Sequence, residues 1–502
     1  MYTPDLATFI KLSDRGNLVP VCHEILADLE TPVSAYMKIA GGEEHSFLLE
    51  SVERGEKLAR YSFLGASPFL VFRSSGQEIT ITDRGKQTQR RLKNDEEPLS
   101  VLREILDRYS FAAHEALPPF CGGAVGYIGY DAVRHFECLS QSPIDDLGLP
   151  EIYFILADTI LIFDHLRHRI KIISNALIEG DPRAAYTAAC ARIEATADKL
   201  RHSLPERVVA PVEEAPVISA FGREDFCRAV ENIKEQIAAG EVFQAVLSHR
   251  MTTSSQADPL DVYRALRSLN PSPYMYYLSF NDLKLIGSSP EILVTEAAGE
   301  VTTRPIAGTR RRGADAAEDE RLSKELLADA KERAEHIMLV ELGCDDLKGI
   351  CRPGTVEISE FMTVEKYSHV IHIVSNVQGK LRIGLDRFDV LRACFPAGTV
   401  SGAPRVRAME IINRLEPHAR GPYAGAIGYF SFSGAMDTCI TIRTIIRENG
   451  RYHIQAGAGI VADSRPEHEY QETLNKAMAL LEAVRMAERG VKNLLKIGGS
   501  EQ

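Results

Sequence analysis

The chain has 502 residues, of which 45% are hydrophobic and 25% charged, and it carries a net charge of −12 at pH 7. That much apolar material excludes disorder as the dominant state. The acidic balance argues against a generic nucleic-acid or anionic-membrane binder, and a small anionic ligand would need a local positive or metal-bearing site.

The opening residues, MYTPDLATFIKLSDRG, lack the basic start and apolar run of a secretory signal and the Arg- and Ser-rich pattern of a transit peptide. Short alternating strands are expected at residues 46–51 and 70–73. The richest apolar stretch, residues 151–173, is cut by Asp158, Asp164, Arg167 and Arg169, so no membrane span is expected. A helix is expected at 186–200. The segment 203–220 follows, and its Pro205, Pro211 and Pro216 make it an extended linker. It separates an N-terminal region, 1–202, from a C-terminal region, 221–490, with a tail at 491–502. The second region opens with a helix at 223–239 that Gly240 can end. Nine cysteines are scattered with no pair at zinc-knuckle or redox-motif spacing, so buried reduced thiols in a cytoplasmic protein are expected. Tryptophan is absent.

Gly123-Ala-Val-Gly-Tyr-Ile recurs as Gly425-Ala-Ile-Gly-Tyr-Phe. Glycines three apart do not match a dinucleotide fingerprint, but they suit strands along which another backbone passes closely. One such strand in each half suits a single interleaved sandwich. Many short strands with irregularly placed helices make the expected fold class α+β: an interleaved two-sheet β-sandwich with surrounding helices.

The last helix is expected to begin near Pro466, a residue suited to a first helical turn. Tyr470, Leu474, Ala477, Leu481 and Val484 keep helical spacing, and Glu469, Glu472 and Lys476 share a face well off that apolar line. Taken alone, this is an ordinary solvated face with an ion pair four residues apart. A second helix, 330–342, presents Glu332 and Glu335 on one face. Mg²⁺ takes oxygen ligands, commonly one or two protein carboxylates plus water and substrate, so two such helices could clamp it. Glu291 follows a proline at the end of an apolar strand at 284–286, Gly308 lies in a turn at 303–309, and Gly457 and Gly459 bare one face of a strand. A plain turn or packing role is the default for each. His372, in the apolar run 370–374, is by itself a satisfied core histidine.

With these stretches in view, the sequence resembles the chorismate-utilising enzymes, and among them component I of anthranilate synthase. The blocks that carry the resemblance are LLES at 48–51, GGAVGYIGYD at 122–131, GEVFQAVLS at 240–248, SSPE at 288–291, RPIAGT at 304–309, KERAEHIMLVEL at 331–342, YSHVIHIVSNVQG at 367–379, FPAGTVSGAP at 395–404 and ETLNKA at 472–477. The resemblance implies that Glu335 and Glu472 ligate Mg²⁺, with Glu332 and Glu469 acting partly through water. It implies that Gly308 and Thr309 line the substrate ring, that Thr399 contacts substrate, and that Tyr423, Arg443, Gly457 and Gly459 receive the enolpyruvyl carboxylate. Lys476 would lie near the metal-bound carboxylate. Glu291 would protonate the departing C4 hydroxyl, and His372 would assist pyruvate elimination.

Two positions bear on which related reaction is run. Water-adding relatives carry a lysine base where this chain has Gln244, and 4-amino-4-deoxychorismate synthases carry a lysine nucleophile where it has Ala307. The pair Gln244 and Ala307 therefore implies amination at C2. By the same resemblance, ammonia comes from a separate glutamine amidotransferase subunit, giving a hetero-oligomer. The resemblance further implies that tryptophan inhibits at Glu50, Ser51, Pro273, Tyr274, Met275, Ile427 and Tyr429, with 1–202 as the regulatory and 221–490 as the catalytic region. One departure stands out: residues 342–349 read LGCDDLKG, with Cys344, Asp345 and Lys348 altering an expected turn after the metal helix. Two alternatives stay open. One is an enzyme that releases 2-amino-2-deoxyisochorismate. The other is a tryptophan-sensing subunit with a decayed site, which intact Glu291, Glu335, Glu472, Arg443 and Lys476 argue against.

Overall fold

The computed structural model describes residues 1–51, 60–93, 96–113, 117–140, 143–204, 215–367 and 370–490. Most of the proline-bearing linker and the whole expected tail lie outside them. The described end of the linker contributes a two-residue strand, Ile218–Ser219, paired with Thr252 and Met251.

Among the described residues the strands form two large sheets, of 13 and 12 strands. The first runs from Leu18–Leu26 through Arg169–Leu177, Thr159–Asp164, Tyr61–Ala66 and His45–Glu50. It then crosses into Tyr274–Phe280, Leu283–Ser289, Thr444–Glu448, Arg451–Ile460 and Gln244–Ser254. The second runs from Ile306–Arg311 through Val370–Lys380, Glu300–Thr303, Ile292–Ala297, Met436–Ile440 and Ala426–Ser431. It then crosses into Gly123–Ile128, Ile152–Ala157, Leu70–Ser75, Glu78–Asp83 and Lys86–Arg91. Each sheet is thus built partly from one half of the chain and partly from the other.

Period-two alternation explains the layers. Phe47, Tyr276 and Leu278 of the first sheet meet Val71, Val125 and Ile427 of the second in a shared inner core. Their neighbours Leu48 and Tyr277 face outward, against the helices Leu6–Ser13, Pro32–Ile39, Pro182–Arg201, Pro259–Leu269 and Pro466–Glu488. Phe72, Ala124 and Phe430 face the other side, against Pro98–Leu106, Ala330–Ile350 and Arg387–Cys394. The molecule is α+β, with two interleaved sheets packed face to face and helices outside both. The repeated glycine motif lies at the seam of the second sheet, where Gly126 pairs with Gly428. A Cβ on Gly126 would collide with the Tyr153 carbonyl, and one on Gly428 with that of Asp437, so close backbone approach is what the glycines serve.

Several expectations are corrected. Residues 342–349 form no turn: the helix runs unbroken over Ala330–Ile350, because Leu339, Gly343, Leu347 and Ile350 continue one buried stripe. Gly343 is small where the helix crosses Thr303 and Pro305. Asp345 and Lys348 form an exposed ion pair at 2.8 Å on the outer face. Residues 303–309 are not a simple turn either, since Ile306–Arg311 is a strand with a bulge between Ala307 and Thr309. The strand before Glu291 is longer than expected, Leu283–Ser289. All nine cysteines are free, but Cys138 is exposed and Cys190, Cys227 and Cys344 are half-buried.

Candidate active site

The site begins with a helix cap. Asp329 ends the preceding segment in extended conformation and accepts from the amides of Lys331, at 3.0 Å, and Glu332, at 3.3 Å. This starts Ala330–Ile350 so that its first turns carry Glu332 and Glu335. Arg310 reaches across from its strand to Glu332 at 3.1 Å and Asp329 at 2.8 Å. Glu335 is held above the usual carboxylate range by burial and by the negative charges of Glu332 and Glu472, against the pull of Lys331 and Lys476. Glu469 is raised by burial and by Glu472, while a Ser464 hydrogen bond opposes this. The two helices therefore bring their carboxylates into each other's field, which neither sequence pattern alone could show. That repulsion suits a hard cation, which would relieve it. Among the described residues, no group of three or more His, Cys, Asp or Glu side chains is placed to hold a metal ion by itself. Mg²⁺ asks for less, taking one or two carboxylates and filling its shell with water and substrate oxygens.

Lys476 pairs with Glu472 at 2.6 Å, as its spacing on the helix suggests, and also donates to the Gly457 carbonyl at 2.9 Å. It thereby ties the last helix to the strand Arg451–Ile460. On that strand, the gap left by Gly457 is occupied by the Tyr423 hydroxyl, 2.7 Å from where a Cβ would stand. The gap left by Gly459 is occupied by the Gln244 amide. The bared strand face thus lets two polar side chains close in. Tyr423 is buried, which pushes its hydroxyl up to about 12 and keeps it a neutral donor. Arg443 sits in a turn at φ 51°, a left-handed conformation that costs a non-glycine residue on the order of 1 kcal/mol. Its guanidinium donates to the Lys476 carbonyl at 3.1 Å, and its own carbonyl accepts from Ser288 at 3.1 Å.

That last bond leads to Glu291. Its carbonyl accepts from the Ile440 amide at 3.0 Å, fixing the backbone after Pro290. Burial lifts its carboxyl to about 7, although the Thr399 hydroxyl and the Lys476 ammonium pull the other way. Thr399 and Glu291 line one crevice with Thr303, Leu339 and Asp346. A carboxyl group with this midpoint keeps a substantial protonated fraction near neutral pH and can act as an acid. On the facing sheet edge, His372 Nδ1 donates to the Gly308 carbonyl at 2.8 Å, beside the Thr309 hydroxyl at 3.2 Å. Burial depresses the His372 pKa below its ordinary value, so the ring is neutral with Nε2 as its acceptor. Gly308 has φ 67°, and a Cβ there would stand 3.2 Å from the Glu332 carboxylate.

A second cavity, of about 420 Å³, lies where the two halves of the first sheet join. Glu50, Ser51, Pro273, Tyr274, Met275, Ile427 and Tyr429 all line it. Met275 pairs with Glu50 across the seam. Glu50 is bridged by Arg267 at 3.1 Å, and the buried Ser51 hydroxyl has no partner among the described residues. Asp437 and Cys439, which the sequence does not single out, also line it. Tyr274 donates to Asp437 at 2.8 Å, and burial pushes the Asp437 carboxyl up to about 6. Asp329, Arg310 and Asp437 went unnoticed in the sequence. Only Asp329 carried a readable signal, an N-cap aspartate before a helix.

Two interleaved sheets, an acidic helix pair, a buried carboxyl and a recessed arginine describe a class with matching relatives. A family model described as chorismate binding enzyme matches residues 47–482, and the chain belongs to that family. Anthranilate synthase component 1 of Acetivibrio thermocellus is 48% identical, covering 97% of this chain and 99% of its own length. That of Pseudomonas aeruginosa is 46% identical, covering 96% and 99%. Anthranilate synthase component I from Streptococcus pneumoniae TIGR4 superposes with a TM-score of 0.75 at 37% identity, over 91% of this chain and 99% of that one. The menaquinone-specific isochorismate synthase of Escherichia coli reaches 0.70 at 20% identity, over 96% and 99%, a likeness of fold alone.

Proposed function

We propose that the chain runs the anthranilate synthase reaction on chorismate. Ammonia adds at C2 as the C4 hydroxyl leaves, giving 2-amino-2-deoxyisochorismate and water. Loss of the C2 proton and of pyruvate then gives anthranilate. The observation that carries this reading is the burial of Glu291 in the crevice it shares with Thr399, which lifts its carboxyl to about 7. A hydroxyl leaves as water only when an acid protonates it. Gln244 and Ala307 bear on the nucleophile: an amide cannot deprotonate water, ammonia needs no base, and alanine cannot form a covalent adduct.

Glu335 and Glu472 would hold Mg²⁺, with Glu332 and Glu469 acting partly through water. Bound there, the metal would offset the charge of the ring carboxylate. Tyr423 and Arg443, with the amides of Gly457 and Gly459, receive the enolpyruvyl carboxylate, because a guanidinium offers a fork of donors. Gly308 and Thr309 line the ring, and Lys476 lies near the ring carboxylate. His372, neutral and oriented by the Gly308 carbonyl, serves the elimination. Ammonia comes from a separate glutaminase subunit in a hetero-oligomer working in the cytoplasm. Residues 1–202 act as the regulatory and 221–490 as the catalytic region, even though the two share both sheets.

Purified protein with chorismate, Mg²⁺ and ammonium should produce the fluorescence of anthranilate, and EDTA should abolish it. Chorismate consumed into a ring-intact amine would instead make this the half-reaction enzyme. No consumption at all would favour a sensing subunit. The second cavity takes tryptophan as feedback inhibitor in this reading. Ser51→Phe should fill part of it and raise the inhibitory concentration at least tenfold, and unchanged inhibition would remove that assignment.

A further inference from the structure

Arg420 and Glu416 have no role in the chemistry above, yet both are buried behind it, at 2% and 6% exposure. Glu416 caps the C-terminus of the helix Arg405–Leu415. Arg420 Nε donates to Glu416 at 2.8 Å and Nη2 at 2.6 Å. The remaining bonds leave the pair. Nη1 donates to the Val400 carbonyl at 2.7 Å, next to Thr399. Nη2 also donates to the Val246 carbonyl at 2.6 Å, and Val246 lies opposite Gly459 and two residues from Gln244. The guanidinium lies over the Tyr423 ring, 5.6 Å from its centroid. Glu416 accepts from the Ser248 amide at 2.7 Å and hydroxyl at 2.8 Å, and Ser248 lies opposite Gly457.

Buried ion pairs seldom add net stability, and an apolar replacement of similar volume is often neutral or better. What this pair supplies is geometry, since it bonds the backbone of two separate segments that bear the site, at Val400 and along the strand Gln244–Ser254, and lies over the ring of Tyr423 on a third. We propose that Arg420 and Glu416 are a positioning pair that holds Thr399, the Gln244 strand and Tyr423 in register to form the enolpyruvyl-carboxylate side of the pocket. This rests on the reading of those residues as substrate contacts. Lysine would not substitute for the arginine. Its donors sit on one nitrogen and cannot span the Val400 carbonyl, the Val246 carbonyl and Glu416 together.

Arg420→Lys and Glu416→Gln keep bulk and polarity. In both, KM for chorismate should rise at least tenfold while KM for ammonium changes less than twofold. A purely structural role would lower only the active fraction, so kcat would fall with folded protein and KM would stay put. A chorismate KM within twofold of the parent in either soluble variant overturns the proposal. Should Arg420→Lys not fold, Glu416→Gln decides alone. Arg443→Gln in the same assay tests the site itself: an unchanged chorismate KM there refutes the substrate reading, whatever Arg420 does.

Discussion

Glu291 is a carboxyl group whose environment works against its charge, and this has two consequences of opposite sign. Its midpoint is raised from 4.5 to about 7 by burial. Below pH 4.5 the group is protonated folded or unfolded, and burial costs nothing extra. As pH rises through 7 the folded state must carry a buried charge, and stability is lost. Glu291→Gln should therefore stabilise the fold at pH 8 by on the order of 1–3 kcal/mol, and not at pH 4.5. The same variant should lose activity by about 10²–10⁴-fold, the usual contribution of a general acid. Thermal midpoints at the two pH values check the first claim, and a stabilising effect at pH 4.5 would contradict it. In the parent, the rate at fixed free ammonia should fall as pH rises above about 7, because the acid form is consumed. An activity that is flat across pH 6–9 on that scale would remove Glu291 from the role.

At the level of elements, the two acidic helices and the strand Arg451–Ile460 were legible in part. The i, i+3 and i, i+4 spacing of Glu332 with Glu335 and of Glu472 with Lys476 follows from helical periodicity, and the structure keeps those faces. That Glu335 and Glu472 come within each other's field was not legible, because it depends on where the two sheets set their helices. The glycines at 457 and 459 read correctly as a bared strand face, but what fills the gaps comes from Tyr423 and Gln244, hundreds of positions apart in one case. The turn expected at 342–349 rests on the resemblance to relatives, whereas the decisive signal in the chain itself is the stripe of Leu339, Leu347 and Ile350. The cap of that helix is testable. Asp329→Ala removes two amide bonds and a partner of Arg310, and should cost about 0.5–2 kcal/mol. It should also weaken the apparent Mg²⁺ affinity about tenfold, as loss of an orienting group does. A Mg²⁺ titration of activity that matches the parent would show that the cap and the carboxylates are independent.

Over the whole molecule, the proline-rich segment invites division into two domains, yet both sheets cross it. The pairs His45–Glu50 with Tyr274–Phe280 and Gly123–Ile128 with Ala426–Ser431 join the halves edge to edge. Composition revealed the break in the chain, because proline is a local signal. It could not reveal the shared sheets, because strand partnership is not local. A protease site inserted at 205–214 should therefore yield two fragments that elute together and melt in a single transition after cleavage. Separation into two independently folded pieces would refute the interleaving as a stability unit.

The seam in the second sheet also bears on how the protein is made. The strand Gly123–Ile128 finds its partner about three hundred residues later in the chain. At about 5–20 residues per second, a ribosome takes tens of seconds to deliver it. Throughout that interval a glycine-rich, apolar strand leaves the tunnel with one edge unpaired, open to another nascent chain on the same message. Truncated products that stop short of residue 426 carry this edge permanently, and they should accumulate as aggregates or as clients of holding chaperones while the full-length chain stays dispersed.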